Sequence, residues 1–157
     1  MAEADYSVDV RMLDEFSPRE LYTMLKMRTD VFVVEQKCPY PELDGADPDT
    51  LHLRLLSGGA LLASARIGKP LETSDPAIIG RVVVSPDHRG KHLGNAVMKE
   101  AIATCEQLFS SHPIALSAQS HLQHFYETFG FVAVSEEYFE DDIPHIDMER
   151  RLTAAAG

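Results

Sequence analysis

The sequence predicts an α+β (mixed α/β) fold, a central mixed sheet flanked by helices, and three observations point to it. Residues 6–13 alternate, with Tyr6, Val8, Val10 and Met12 on one face and Ser7, Asp9 and Arg11 opposite, which is the pattern of a half-buried strand. Residues 51–56 and 60–67 are apolar runs on either side of Ser57-Gly58-Gly59, the signature of a β-hairpin. Residues 78–84 (IIGRVVV), an amphipathic stretch at 90–109 and a short apolar run at 114–118 follow in the order strand, helix, strand. Such a crossover brings its two strands together in parallel, whereas the hairpin is antiparallel, so the sheet is mixed.

Each element has its own warrant. After the first strand, Ser17-Pro18-Arg19-Glu20 supplies an N-cap, a proline at the first helical position and a glutamate three residues after the cap. Leu21, Met24, Leu25, Arg28, Val31 and Phe32 then recur at helical spacing, and Arg28 reads as an edge residue snorkelling to solvent. Residues 36–50 hold three prolines and a glycine and read as an irregular loop, as do residues 68–76. The run 78–84 is apolar enough for a central strand buried on both faces. The 90–109 helix buries Leu93, Val97, Met98, Ala101, Ile102, Cys105 and Leu108 and stops before Pro113. A short helix over 122–129 ends at Gly130, a left-handed C-terminal cap. Residues 131–138 and 145–152 read as closing strands around the acidic turn Glu140-Asp141-Asp142. The expected order is β-α-β-β-β-α-β-α-β-β.

The 157 residues are expected to form a single domain, 1–157, large enough to bury a core without staples. Hydrophobic residues make up 45% and charged residues 25%, which excludes a wholly disordered chain. Fourteen Lys and Arg against 25 Asp and Glu leave a net charge of −11, which argues against a nucleic-acid partner. The N-terminus lacks the basic and apolar regions of a signal peptide, and no apolar run approaches the ~18 residues of a membrane span. Only Cys38 and Cys105 occur, with no disulfide framework, so a reducing, cytoplasmic location is expected. No metal is expected. His88 and His92 share no helical face, His121 and His124 lack a third ligand, and Leu55 stands where a calcium loop starting at Asp44 needs its glutamate.

The chemistry concentrates at residues 78–98. A buried strand turns through Ser85-Pro86-Asp87 and enters a helix through Arg89-Gly90-Lys91-His92-Leu93-Gly94. Glycines let the backbone approach a ligand, and the free N–H groups of the first helical turn attract anions, most simply a phosphate or diphosphate. Arg89 and Lys91 add formal charge. The spacing is neither a Walker loop nor a dinucleotide-binding fingerprint, which disfavours a nucleotide protein of either kind.

R-G-K-H-L-G at 89–94, following V-x-V-x-P at 82–86, resembles the acyl-CoA diphosphate loop of the GNAT N-acetyltransferases. F-Y-E-T-F-G-F at 125–131 resembles the family's second, helix-to-strand signature. F-V-V-E-Q-K-C-P-Y at 32–40, D-G at 44–45, A-Q-S-H-L-Q-H-F-Y at 118–126 and I-P-H-I at 143–146 are similar to the ElaA-like subgroup. The resemblance covers nearly the whole chain. Two positions depart from the family pattern. His92 stands where the loop usually has a second glycine, and as part of a helix start it is expected to need no positive φ. Gln119 replaces an asparagine that touches the cofactor in many relatives.

The resemblance implies a GNAT-like fold in which two parallel strands, here 78–84 and 114–118, splay apart to admit the acyl-pantetheine arm. It implies acetyl-CoA as cosubstrate, held by backbone at Val82, Val83 and Val84 and by Arg89, Gly90, Lys91, His92, Leu93, Gly94, Asn95, Gln119 and Tyr126. The implied reaction is direct acetyl transfer to a primary amine of a small molecule or peptide. It needs a base, an oxyanion donor and an acid for the leaving sulfur. The N–H of Val83 or Val84 is the candidate donor. Tyr126 matches the family's acid. The base is open among Glu35, His145 and His52, since Arg81 occupies the strand where relatives often place a carboxylate. Two further readings stay open: a non-catalytic acyl-CoA-binding module, and a homodimer paired through the C-terminal strands.

Overall fold

The computed structural model describes residues 5–151. The expected end of the last strand at Leu152, and part of the N-terminal stretch read for a signal peptide, lie outside them. Strand β1 (Ser7–Met12) pairs antiparallel with β2 (Leu51–Ser57), and β2 pairs with β3 (Ala60–Gly68). The hairpin turn places Gly58 at φ +56° and Gly59 at φ +81°, two successive left-handed residues that glycine tolerates without a Cβ clash. β3 continues antiparallel to β4 (Ala77–Val84). β4 then meets β5 (Ile114–Gln119) in parallel, and β5 pairs antiparallel with β8 (Ile143–Arg150). The short strands β6 (Val132–Ala133) and β7 (Tyr138–Glu140) both pair with β8. The sheet is mixed and eight-stranded, as the α+β expectation requires.

Helix α1 (Pro18–Thr29) begins as its sequence predicts. Ser17 Oγ accepts the Glu20 N–H at 3.1 Å, and Glu20 Oε1 accepts the Ser17 N–H at 2.8 Å. That Ser17 N–H, more than the arginines nearby, holds the Glu20 carboxyl down at about 2. Beyond Thr29 the chain stays helical as a π-helix over Asp30–Glu35, with Gln36 N–H reaching Val31 O at 3.1 Å. Helix α2 (Leu93–Leu108) buries Leu93, Val97, Met98, Ala101, Ile102 and Cys105 in the main core with Leu53, Leu55, Ala65 and Ile79. Met27 and Val31 form a second cluster with Val83. Fully burying a side chain of Val, Leu or Met size contributes roughly 1.5–3 kcal/mol, so the α2 stripe is a substantial source of stability.

Five expectations are corrected. Arg28 is not a snorkelling edge residue: it is 1% exposed, because buried carboxylates meet it. The strand 78–84 is not buried on both faces, since Ile78 is 53% exposed and the strand borders an open cleft. The 90–109 helix starts at Leu93, because Gly90 (φ +83°) and His92 (φ +57°) are left-handed and cannot continue an α-helix backwards. His92 therefore does adopt the positive φ that the sequence reading denied it. The 131–138 strand breaks into β6 and β7. Between them Ser135 Oγ accepts the Asp147 N–H at 2.9 Å, taking a bond that the ladder would otherwise use.

Candidate active site

The site begins where two parallel strands part. β4 and β5 pair only at Ala77↔Ile114 and Ile78↔Ala115. Past Ile78, β4 keeps its antiparallel partner β3, and β5 keeps β8. Between them the backbone edge of β4 has no strand partner. This edge borders a cavity of about 640 Å³, whose lining includes Val82, Val83, Val84, Leu116, Ser117 and Gln119. Unpaired peptide groups on a cavity wall are suited to an amide-rich ligand.

At the upper end of β4 the chain turns through Pro86–His88 and reaches α2. No side chain caps α2, and its first turn holds no acidic residue. The amides of Leu93, Gly94 and Asn95 at its positive end are thus available to an anion. His92 precedes them with a left-handed φ of +57°, the conformation a glycine would adopt freely. Arg89 lines the cavity, and its Nη2 donates to Glu35 Oε1 at 2.6 Å. Lys91 and Leu93 line a second cavity of about 380 Å³ with His88.

Tyr126, on α3 (Gln123–Glu127), is 8% exposed and lines the main cavity. Phe125 and Phe131 hold its ring edge-on, with centroids at 5.1 and 6.3 Å. Its hydroxyl has no hydrogen-bond partner among the described residues, and burial pushes it up to about 12, so it stays protonated. His145 lines the same cavity and stacks on Tyr138 at 6.1 Å. Its Nδ1 lies 2.8 Å from the Ile143 carbonyl. A carbonyl only accepts, so Nδ1 carries a hydrogen, and Nε2 lies 3.8 Å from Glu140 Oε2. Glu35 lies outside the cavity lining, beside Arg89. His52 is 1% exposed, with Nε2 at 2.9 Å from the Asp47 carbonyl, and burial lowers its pKa. The structure thus brings Tyr126, His145, Gln119 and the β4 edge to one cavity, leaves Glu35 at the cradle and buries His52 elsewhere.

A charge network that the sequence reading missed reaches the same cavity through Asp44, Arg66 and Arg81. Arg28 Nε donates to Glu42 Oε2 at 2.7 Å, and its Nη1 donates to Asp47 Oδ1 at 2.8 Å. Arg81 Nε reaches the same Glu42 Oε2 at 2.9 Å. Arg66 grips Asp44 with two bonds of 3.0 Å, which hold the Asp44 carboxyl well below its usual range. Burial pushes Asp47 up, but bonds from Arg28 and Arg66 outweigh it and leave its pKa lowered. Three arginines and three carboxylates thereby fasten the 36–50 loop to α1, β3 and β4. An arginine on an apolar helical stripe, followed by four acids in the next loop, was the available signal. Cys38, also on the cavity, donates to the Asp141 carbonyl at 3.5 Å, and burial pushes its thiol up, away from nucleophilic use.

A strand gap beside an uncapped helix N-terminus and a buried tyrosine is the arrangement of an acyl-CoA-dependent acyltransferase. The family model of the GNAT acetyltransferase domain matches residues 14–152, and the chain belongs to that family. It is similar to protein ElaA of Escherichia coli, with 44% identity over 143 residues, 90% of this chain and 94% of that one. The crystal structure of Escherichia coli ElaA superposes with a TM-score of 0.86 at 41% identity, covering 94% of this chain and all of that one. An acyl-CoA N-acyltransferase from Pseudomonas aeruginosa superposes with a TM-score of 0.88 at 46% identity, with the same coverage. No helix among the described residues is long and apolar enough to cross a membrane, and none of their His, Cys, Asp and Glu side chains form a metal-binding group.

Proposed function

We propose that this chain is an N-acetyltransferase that moves the acetyl group of acetyl-CoA directly to a primary amine of a small molecule or peptide. The observation that carries the reading is the β4–β5 gap, which opens onto a cavity holding the unpartnered hydroxyl of Tyr126. Acetyl-CoA supplies the activated thioester. The amides at Gly90, Lys91, His92, Leu93, Gly94 and Asn95, with the Arg89 guanidinium, bind the diphosphate. The free edge at Val82, Val83 and Val84 and the Gln119 side chain bind the pantetheine arm. The N–H of Val83 or Val84 donates to the carbonyl oxygen as negative charge grows on it.

Tyr126 donates its proton to the leaving sulfur. Burial raises the phenol, and the same apolar surroundings raise the basicity of a thiolate formed beside it, so the two stay matched. His145 is the base: its Nε2 accepts the proton of the attacking amine, and Glu140 compensates the imidazolium. Glu35 ranks below it, because its carboxylate serves Arg89. His52 lies outside the cavity lining.

The test is CoA release over an amine panel, run beside calorimetric binding of acetyl-CoA. Turnover on at least one amine is expected. Binding without release on any amine would make the chain an acyl-CoA-binding module instead. Tyr126→Phe is expected to lower kcat by ~10²-fold or more with little change in the acetyl-CoA KM. Wild-type kcat in that variant removes Tyr126 from the mechanism.

A further inference from the structure

Arg81 stands in the middle of β4 with φ +50°, a conformation that non-glycine residues seldom adopt in a strand. The distortion does not fall on Gly80, the adjacent residue that would accept it freely. Opposite Arg81 the register slips: Ser64 pairs with Val83, while Arg66 pairs with Gly80. Two residues of β4, Arg81 and Val82, thus face one residue of β3, which is a β-bulge. It lies on the stretch of β4 that has left β5. Bulges bend a strand and re-aim the groups that follow, here the free edge at Val82, Val83 and Val84.

The Arg81 side chain explains why the bulge stays put. Its Nε donates to Glu42 Oε2 at 2.9 Å, and its Nη2 reaches the Glu42 carbonyl and Asp44 Oδ2 at 3.3 Å each. The guanidinium also lies over the Tyr40 ring, 5.7 Å from the centroid. Glu42 is itself immobilised, 4% exposed and bonded to Arg28 at 2.7 Å and to the Tyr40 hydroxyl at 2.7 Å. A planar fork held at this many points fixes the backbone it hangs from.

We propose that Arg81 is a positioning residue: its guanidinium, clamped by Glu42 and Asp44, holds the β4 bulge left-handed and so aims the strand edge that has left β5, from Val82 to Val84, into the cleft. One side chain then ties the 36–50 loop to the strand edge facing the thioester. The kinetic part rests on the acetyltransferase reading, whereas the backbone part does not.

The experiment pairs hydrogen-exchange mass spectrometry with steady-state kinetics on Arg81→Ala, Arg81→Lys and Glu42→Gln, the last two being milder changes should the first fold poorly. Arg81→Ala is expected to speed exchange over residues 79–84 by about tenfold or more while α2 keeps wild-type protection. It should also lower kcat by about tenfold or more with the acetyl-CoA KM changed less than about threefold, because small displacements of positioned groups cost rate before affinity. Arg81→Lys and Glu42→Gln should fall between, and millimolar guanidinium ion should restore part of the kcat of Arg81→Ala. A merely structural arginine would lower the melting temperature without this split or rescue. Wild-type exchange over 79–84 in Arg81→Ala overturns the proposal, as does a kcat that falls only in proportion to the fraction unfolded. Altered exchange in 79–84, in a protein whose wild type releases no CoA on any amine, sustains the positioning role and sinks the transferase reading alone.

Discussion

The two walls of the cleft are built on different principles. The wall formed by the end of β4 and the start of α2 is made of backbone: an unpaired strand edge, left-handed Gly90 and His92, and an uncapped first turn. The wall formed by the 36–50 loop is made of side-chain charge, with Arg28, Arg66 and Arg81 neutralised by Glu42, Asp44 and Asp47. Backbone geometry suits a part of the ligand that never changes, such as a diphosphate and its pantetheine arm. Side-chain networks on a loop are where specificity can vary, and here one member, Arg81, also reaches the sheet.

The contrast makes separable predictions. The largest effect belongs to the charged wall. Arg28→Met leaves Glu42 and Asp47 buried without their main partner, which should cost about 3–5 kcal/mol in urea denaturation. Acetyl-CoA affinity in the surviving fold should stay within about twofold, because Arg28 pairs with the loop carboxylates and not with the start of α2. An equal loss of affinity would merge the two walls into one unit. Next in size, Arg89→Ala should weaken acetyl-CoA binding about tenfold in calorimetry with no loss of folding stability, since its pairing with Glu35 is solvent-exposed. Smaller still, Glu35→Gln frees Arg89 for the diphosphate and should tighten binding about twofold. A large fall in kcat in that variant would instead return Glu35 to the position of base.

The pH dependence of stability follows from the signs. Burial raises Cys105 from 9.0 and Tyr126 from 10.0, each to about 12, so the fold favours their neutral forms. Their contribution is complete below those ordinary values and is lost as pH rises through about 12. His52 is lowered from 6.5 by burial, so its contribution is present above 6.5 and fades as pH falls through its folded value. Melting temperatures should therefore fall on both sides of neutrality. Cys105→Ala should flatten the alkaline limb between pH 9 and 12 even if its packing loss lowers the whole curve.

The difference between the walls also explains what was legible in the sequence. The capping box at Ser17 and Glu20, the Gly58-Gly59 turn and the α2 stripe are local, and neighbours within a few residues determine them. The 89–94 loop was legible for the same reason, although the left-handed φ of His92 was not, because a non-glycine residue gives no sign of such a conformation. The charge network joins Arg28 to Asp47 and Arg81 to Glu42, pairs brought together only by the folded sheet. Arg28 broke its apolar pattern visibly, but the partners that explain it lie in another segment. The half-open face of β4 was hidden similarly: IIGRVVV reads as buried on both sides, yet Ile78 is half exposed and the strand borders the cleft.

The most direct test of the central claim is a co-crystal structure with acetyl-CoA. The diphosphate oxygens should lie within hydrogen-bond distance, about 2.7–3.2 Å, of the amides between Gly90 and Asn95, with the thioester sulfur in similar reach of the Tyr126 hydroxyl. A diphosphate bound elsewhere, or a sulfur remote from Tyr126 with the cradle empty, would contradict the account.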